Sequence, residues 1–257
     1  MTRVPLPQAF LRLPIAHRGL HDRSAGRIEN SLSAVRAAVA RGYGVEIDLQ
    51  LAADGVAMVF HDDALDRLTE ATGPLAGRTA GALGRICLAG GADTIATLAE
   101  VLGEVGGRVP LLIEIKDQSQ GMTASDGRLE AATAAALAAY AGPVAVMSFN
   151  PAVVAHLARL APAIPRGLTT AAYAPDDWAS LPAETCARLR AIPDYAGTGS
   201  SFISHEATDL GRPRVAELKA AGAAVLCWTI RSPEAEAEAR RIADNVTFEG
   251  YAAALPA

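Results

Sequence analysis

His17, Arg18, Glu29 and Asn30 stand within the stretch IAHRGLHDRSAGRIENS, Ile15 to Ser31. The apolar run ending in His17 and Arg18 reads as a strand that delivers polar side chains at its carboxyl end. Glu29 and Asn30 follow where a loop meets a helix, a junction where α/β enzymes keep their chemistry. In YGVEIDLQL, Glu46, Asp48 and Gln50 share one face of a strand by its period of two. In RVPLLIEIKD, Glu114 and Lys116 do the same. Glu46 and Asp48 place their Cβ atoms roughly 6–7 Å apart. Two carboxylates facing a buried interior repel each other and are costly to desolvate without a cation. Glu114 adds a third. Three carboxylates without a cysteine or histidine triplet suit a hard divalent ion, Mg²⁺ or Ca²⁺, with water completing the shell. The bland alternative, ordinary salt-bridged acids, is weakened by their matching phase on apolar strands.

His17 and His61 each end an apolar run near these carboxylates. One imidazole can take a proton while the other gives one. His21, His156 and His205 lack such company: His156 falls within a helix reading and is taken as structural, and His21 lies in the first loop, near enough to be ambiguous. Arg18 can grip a phosphate by two parallel hydrogen bonds. Lys116 either pairs with Glu114 alone or contacts both that acid and a substrate oxygen. A metal, an arginine and a lysine around two histidines describe a site for a phosphate ester. Competing motifs are missing: there is no Gly-x-Ser-x-Gly elbow, no Walker loop and no Gly-x-Gly-x-x-Gly after a strand. The His-x-His of other hydrolytic metal barrels is not matched, because Arg18 and Gly19 follow His17.

The elements that must position these residues alternate along the chain. Strands are expected near His17, Glu46, Glu114, Ser148, Gly167, Ser204, Trp228 and Phe248, and helices separate most of them. Helices are expected over Glu29 to Arg41, near Ile95 to Leu102, over Arg128 to Tyr140, and from Pro151, which follows the cap Asn150. Further helices are expected within Pro175 to Leu189, over Gly211 to Ala221 and after Ser232. Eight β-α units predict a (β/α)8 barrel forming a single domain over residues 1–257, with an open doubly wound sheet as the runner-up. Polar residues at the carboxyl ends of several different strands favour the barrel. Asp54-Gly55 signals a β-hairpin arm after the second strand, with a register that would bring Val59 and His61 near Asp48 and Glu46.

Bulk properties agree with an enzyme. The 257 residues are 51% hydrophobic, enough for a large core and too many for disorder. The net charge of −5 argues against nucleic-acid binding and means that local cations must attract any anionic substrate. Cys87, Cys186 and Cys227 are sparse and odd in number, as free thiols in a reducing compartment would be. The first fourteen residues, with Pro5, Pro7 and Pro14 and no long apolar core, do not read as a signal peptide, and no run approaches roughly 18 apolar residues, so a cytoplasmic protein without stable membrane association is expected.

AHRG, then EN, then VEIDLQLAADGVAMVFHDDALDRLT, then LIEIKD, in this order, resembles the glycerophosphodiester phosphodiesterase family, with MSFN and CWTI fitting further on. The likeness runs from about residue 13 to 249. It implies a TIM barrel that hydrolyses glycerophosphodiesters, small-molecule substrates, to sn-glycerol 3-phosphate and an alcohol. It implies that Glu46, Asp48 and Glu114 hold the divalent ion, that His17 and His61 are the acid–base pair, and that Arg18 and Lys116 hold the phosphate. Glu29 and Asn30 would shape the mouth, with Glu29 supporting Arg18 or the metal waters. Phe149 and Trp228 would wall the substrate, core packing being the alternative for both. Three features depart from the family. Arg231 stands in WTIR where asparagine is common, TFEG replaces the usual threonine-aspartate, and the segment between His61 and Glu114 is short and lacks an aspartate-alanine-glycine, aromatic-rich stretch. The nucleophile would be water or the glycerol 2-hydroxyl, the latter giving a cyclic phosphate. The rival readings are a related phosphodiesterase acting on lysophospholipid or phosphoinositide headgroups, and a non-catalytic binder of phosphorylated polyols.

Overall fold

The computed structural model describes residues 2–256. Its nine strands form one sheet: β1 (Ile15–Ala16), β2 (Gly44–Leu51), β3 (Ala57–Val59), β4 (Leu111–Ile115), β5 (Val144–Ser148), β6 (Arg166–Thr170), β7 (Phe202–Glu206), β8 (Ala224–Ile230) and β9 (Asn245–Phe248). Eight are parallel and close on themselves through β1, which pairs with both β2 and β9. The eight expected strands are these eight, and the architecture is a TIM barrel.

The helices are α1 (Ala9–Arg12), α2 (Leu32–Arg41), α3 (Ala80–Leu83), α4 (Leu98–Val105), α5 (Arg128–Leu137), α6 (Pro151–Leu160), α7 (Ala183–Ala191), α8 (Pro213–Ala220) and α9 (Pro233–Ala239). Their starts follow local chemistry. Thr97 and Glu100 form a capping box on α4, and Asn150 accepts from the Ala152 N–H ahead of Pro151 at the start of α6. α2 begins three residues later than expected, because Asn30 lies at φ +59° and Ser31 is the cap. That shift frees Glu29 and Asn30 from the helix and leaves them in the loop above β1.

The hairpin register differs by one residue from expectation. Leu49 faces Val59 and Leu51 faces Ala57. The turn spans Ala53, Asp54 and Gly55, is closed by the Ala52 N–H donating to the Val56 carbonyl, and has Gly55 at φ +84°. Three turn residues shift the pairing relative to the one assumed. β3 ends at Val59, so His61 leaves the ladder, yet it lines the same cavity as Glu46 and Asp48, as expected. The short segment after His61 packs its own core, Leu65, Leu68, Leu75, Leu83 and Leu88, against Met58 and Phe60.

The amino-terminal end of the barrel is plugged. Ile15, Leu112, Phe202 and Leu226 fill the interior, with Phe10 of α1 beneath them. Asn245 donates to the carbonyls of Phe10 and Leu13 at 2.7 Å each, which ties the plug to β9. By the period of two, the next inward positions above this apolar layer are His17, Glu114, Ser204, Trp228 and Thr247, and the site begins there.

Candidate active site

The turn after β1 carries His17, Arg18 and Gly19. Arg18 and Gly19 both have positive φ, +53° and +79°. A Cβ on Gly19 would lie 2.8 Å from the Ala34 carbonyl carbon, so the turn can press against α2 only because this residue is glycine. The turn aims the Arg18 N–H at Glu46 Oε2, 2.9 Å away, and the guanidinium Nη1 at Glu29 Oε1, 2.6 Å away. Arg18 Nε lies 3.3 Å from Asp48 Oδ2 but makes no hydrogen bond, which leaves it a buried donor without a partner.

Glu46, Asp48 and Glu114 bring one carboxylate oxygen each within 4.8 Å of one another and are 2%, 1% and 6% exposed. Lys116 Nζ bridges two of them, 2.8 Å from Asp48 and 2.5 Å from Glu114. Burial pushes Asp48 upward, but Lys116, His61 and Arg18 together hold it well below the usual carboxylate range. Glu46 accepts only a backbone N–H, and burial beside the other two acids drives it well above its ordinary value. The cluster therefore holds more carboxylate than its own cations neutralise. A hard divalent ion bound by oxygen is the group this donor set fits. Asn30 is 1% exposed and grips Asp48 from both sides: its Nδ2 donates to Oδ2 at 2.9 Å, and its Oδ1 accepts the Asp48 N–H at 3.1 Å. It is buried against Asp48 and lines neither lobe of the cavity, so it does not form the mouth.

Each of the two histidines has a carboxylate partner. His17 Nδ1 is 2.6 Å from Glu249 Oε2, and His61 Nδ1 is 2.6 Å from Asp62 Oδ1. The hydrogen bonds from His17 and His21 outweigh burial and hold Glu249 well below its ordinary value. Ionised Glu249 can only accept, so His17 donates through Nδ1 and keeps a lone pair on Nε2. Burial lowers the His17 pKa, and the Glu249 hydrogen bond opposes this without cancelling it. Arg67 joins the halves of the mouth, donating to Glu29 at 2.8 Å and to Asp62 at 2.6 Å. Burial would raise Glu29, but Arg67 and Arg18 lower it to about 2.

Sequence reasoning did not single out Glu249, Asp62 or Arg67. Two of them carry a signal: Glu249 follows Thr247 with the period of β9, and Asp62 adjoins His61. Arg231 Nε donates to Glu249 Oε1 at 2.8 Å, so the residues at two of the noted departures meet in one ion pair. His21 Nε2 stands 3.5 Å from Glu249, while His156 and His205 lie on α6 and β7 with Glu130 and Asp209 as neighbours.

The cavity has two lobes. An inner lobe of about 170 Å³ is lined by His17, Arg18, the three acids, Lys116, Thr169, Ser204, Trp228 and Thr247, among others. An outer lobe of about 500 Å³ is lined by Asp63, Asp117, Asp177, Met122 and Trp178, among others. His61, Glu114, Lys116 and Phe149 border both. Phe149 packs edge-on against Trp228, with ring centroids 5.6 Å apart, and lies 5.1 Å from Trp178. Phe149 and Trp228 are thus cavity wall and aromatic cluster at once. Cys87, Cys186 and Cys227 are free thiols, and none lines either lobe.

Residues 17–247 match the model of the glycerophosphoryl diester phosphodiesterase family. A stretch of 63 residues is 48% identical to bovine glycerophosphodiester phosphodiesterase 1 and 44% identical to the human protein. That stretch is 24% of this chain and only 18% of either relative. Over 94% of both chains, the fold superposes on an Oleispira antarctica phosphodiesterase solved with the product sn-glycerol 3-phosphate, with TM-score 0.75 and 25% identity. A glycerophosphodiester phosphodiesterase from Parabacteroides distasonis shares the fold at TM-score 0.71 and 21% identity, over 92% of each chain.

Proposed function

The chain belongs to the glycerophosphoryl diester phosphodiesterase family, and from that premise we propose that it hydrolyses glycerophosphodiesters to sn-glycerol 3-phosphate and an alcohol with the help of a divalent ion. The observation that carries this reading is one cavity holding two carboxylate-partnered histidines, a cluster of three buried acids, and the free Nε of Arg18.

Glu46, Asp48 and Glu114 would hold the ion, which when bound supplies neutralisation of charge on the phosphodiester. Arg18 Nε and Lys116 Nζ donate to phosphate oxygens. His17, neutral because of its burial, takes the proton of the glycerol 2-hydroxyl on Nε2, and Glu249 stabilises the imidazolium that forms. The 2-oxygen attacks phosphorus. The bond to the departing alcohol breaks, and His61, at the junction of the lobes, protonates that oxygen as the alcohol leaves through the outer lobe. In the second half-reaction His61 takes a proton from water, the hydroxide opens the cyclic phosphate, and His17 returns its proton to the 2-oxygen.

The test is release of sn-glycerol 3-phosphate from glycerophosphocholine and glycerophosphoethanolamine, read by a coupled dehydrogenase with Mg²⁺, Ca²⁺ or Mn²⁺ and with EDTA as control. Metal-dependent release is expected, and His17→Ala or His61→Ala should reduce it about a hundredfold or more. Absence of release with every metal would overturn the reading. Equal release in EDTA would remove the ion from it.

A further inference from the structure

Three hydroxyls in the inner lobe have no hydrogen-bond partner among the described residues: Thr169 Oγ1 on β6, Ser204 Oγ on β7 and Thr247 Oγ1 on β9. Their residues are 2%, 0% and 1% exposed. Thr169 and Ser204 are direct partners in the β6–β7 ladder, so two of the three stand side by side. Other buried hydroxyls on the barrel strands are satisfied, since Ser148 donates to the Ile115 carbonyl at 2.7 Å and Thr170 bonds His205 at 2.8 Å; the Tyr195 hydroxyl, outside the strands and away from both lobes, is a further unpaired one. An unpaired buried hydroxyl opposes folding, and valine or alanine would fill the same space without that cost. Three of them on one cavity wall are accounted for by a ligand that brings its own polar atoms.

The position of the wall says which ligand fragment this is. Directly below the hydroxyls lies the apolar plug of Phe202, Leu226 and Ile15, so the inner lobe is closed at the bottom and takes one small group. The outer lobe is wider and open to variable alcohols. A glycerol hydroxyl offers one donor and two acceptor positions, enough to engage all three side chains.

Resting on the hydrolytic reading above, we propose that Thr169, Ser204 and Thr247 form a subsite for the free terminal hydroxyl of the glycerol moiety, which selects diesters of unacylated glycerol. The 2-hydroxyl faces His17 in that reading, so the terminal hydroxyl is the one left to bind here. A diester lacking it strands three polar groups in a closed cavity, and such sites reject the deoxy analogue strongly. An acyl chain at the same oxygen would have to enter the packed layer of Phe202 and Leu226, which excludes lysophospholipids.

The experiment compares kcat/KM for three choline esters with the Mg²⁺-loaded enzyme: glycerophosphocholine, its analogue built on propane-1,2-diol, and 1-acyl-lysophosphatidylcholine. Glycerophosphocholine should exceed the propanediol ester about a hundredfold, with no turnover of the acylated ester. In the variant Thr169→Val/Ser204→Ala/Thr247→Val the preference should shrink to about threefold, chiefly through KM. The Tm of the unliganded variant should equal or exceed that of the wild type, because each change removes an unpaired group. A retained preference, comparable wild-type turnover of the propanediol or acylated ester, or a lowered Tm each overturns the subsite. If no ester is cleaved, the hydrolytic reading has failed, and calorimetric binding decides the subsite instead. Tighter binding of sn-glycerol 3-phosphate than of propane-1,2-diol 1-phosphate, by about tenfold and lost in the triple variant, supports it; equal binding overturns it.

Discussion

Glu249 meets both Arg231 and His17, and its effect is on proton transfer. Glu249 fixes the imidazole tautomer through Nδ1 and raises the His17 pKa against the lowering effects of burial and Arg18. As the base, His17 must be neutral, so activity is lost as pH falls through its pKa, which lies below the ordinary 6.5. Glu249→Gln removes the opposing charge and lowers that pKa further. The acidic limb of the kcat/KM profile should therefore move to lower pH, while kcat falls about tenfold or more because the amide does not stabilise the imidazolium. A pH-rate profile on both proteins reads this. A uniform loss with an unmoved limb would make Glu249 a packing residue only. Glu249 was hard to read from sequence for a physical reason: it directly follows the last strand, 232 residues from its partner, and only barrel closure brings the two together. Glu46, Asp48, Glu114 and Lys116 were legible because each pair is two residues apart on a strand or, for Lys116, directly after it, where the period of two alone puts both residues on one face.

At the scale of elements, the turn between β1 and α2 is the piece on which the site depends. It holds the Arg18 N–H on Glu46 and, through Asn30, both sides of Asp48. Gly19→Ala combines a left-handed residue with a Cβ driven into the backbone of α2. The left-handed conformation costs about 1–2 kcal/mol and overpacking about 1–3 kcal/mol more. Gly55→Ala in the β2–β3 turn is the internal control, since its φ is also positive but nothing lies within 4 Å of the added carbon. Chemical denaturation should place Gly19→Ala below Gly55→Ala by the overpacking share, and only Gly19→Ala should lose activity at temperatures where both are folded. Equal stabilities would show that α2 yields freely to the turn. Periodicity revealed the strands and most of the helices because burial dictates both. It missed α1 and α3, each four residues long, which are too short for a helical period to register. It also misplaced the hairpin register, since a three-residue turn and a two-residue turn can contain the same Asp-Gly.

For the molecule as a whole, the net charge of −5 works against a substrate that is itself an anion. Arg18 and Lys116 are already engaged with Glu29, Asp48 and Glu114, so their reach into solvent is short. The outer lobe adds Asp62, Asp63, Asp117 and Asp177 along the path of approach. A zwitterionic diester such as glycerophosphocholine carries a cation to offset this field, whereas glycerophosphoglycerol arrives with a full negative charge. Salt screens such fields over about 10 Å at 0.1 M. Raising ionic strength from low to physiological values at fixed Mg²⁺ should therefore increase kcat/KM for glycerophosphoglycerol about twofold or more relative to glycerophosphocholine. Asp63→Asn/Asp177→Asn should reduce that salt response, because it removes two of the charges that generate it. If the ratio instead falls with salt, attraction by Arg18, Lys116 and the bound ion dominates the approach, and the acidic outer lobe does not govern which alcohols enter.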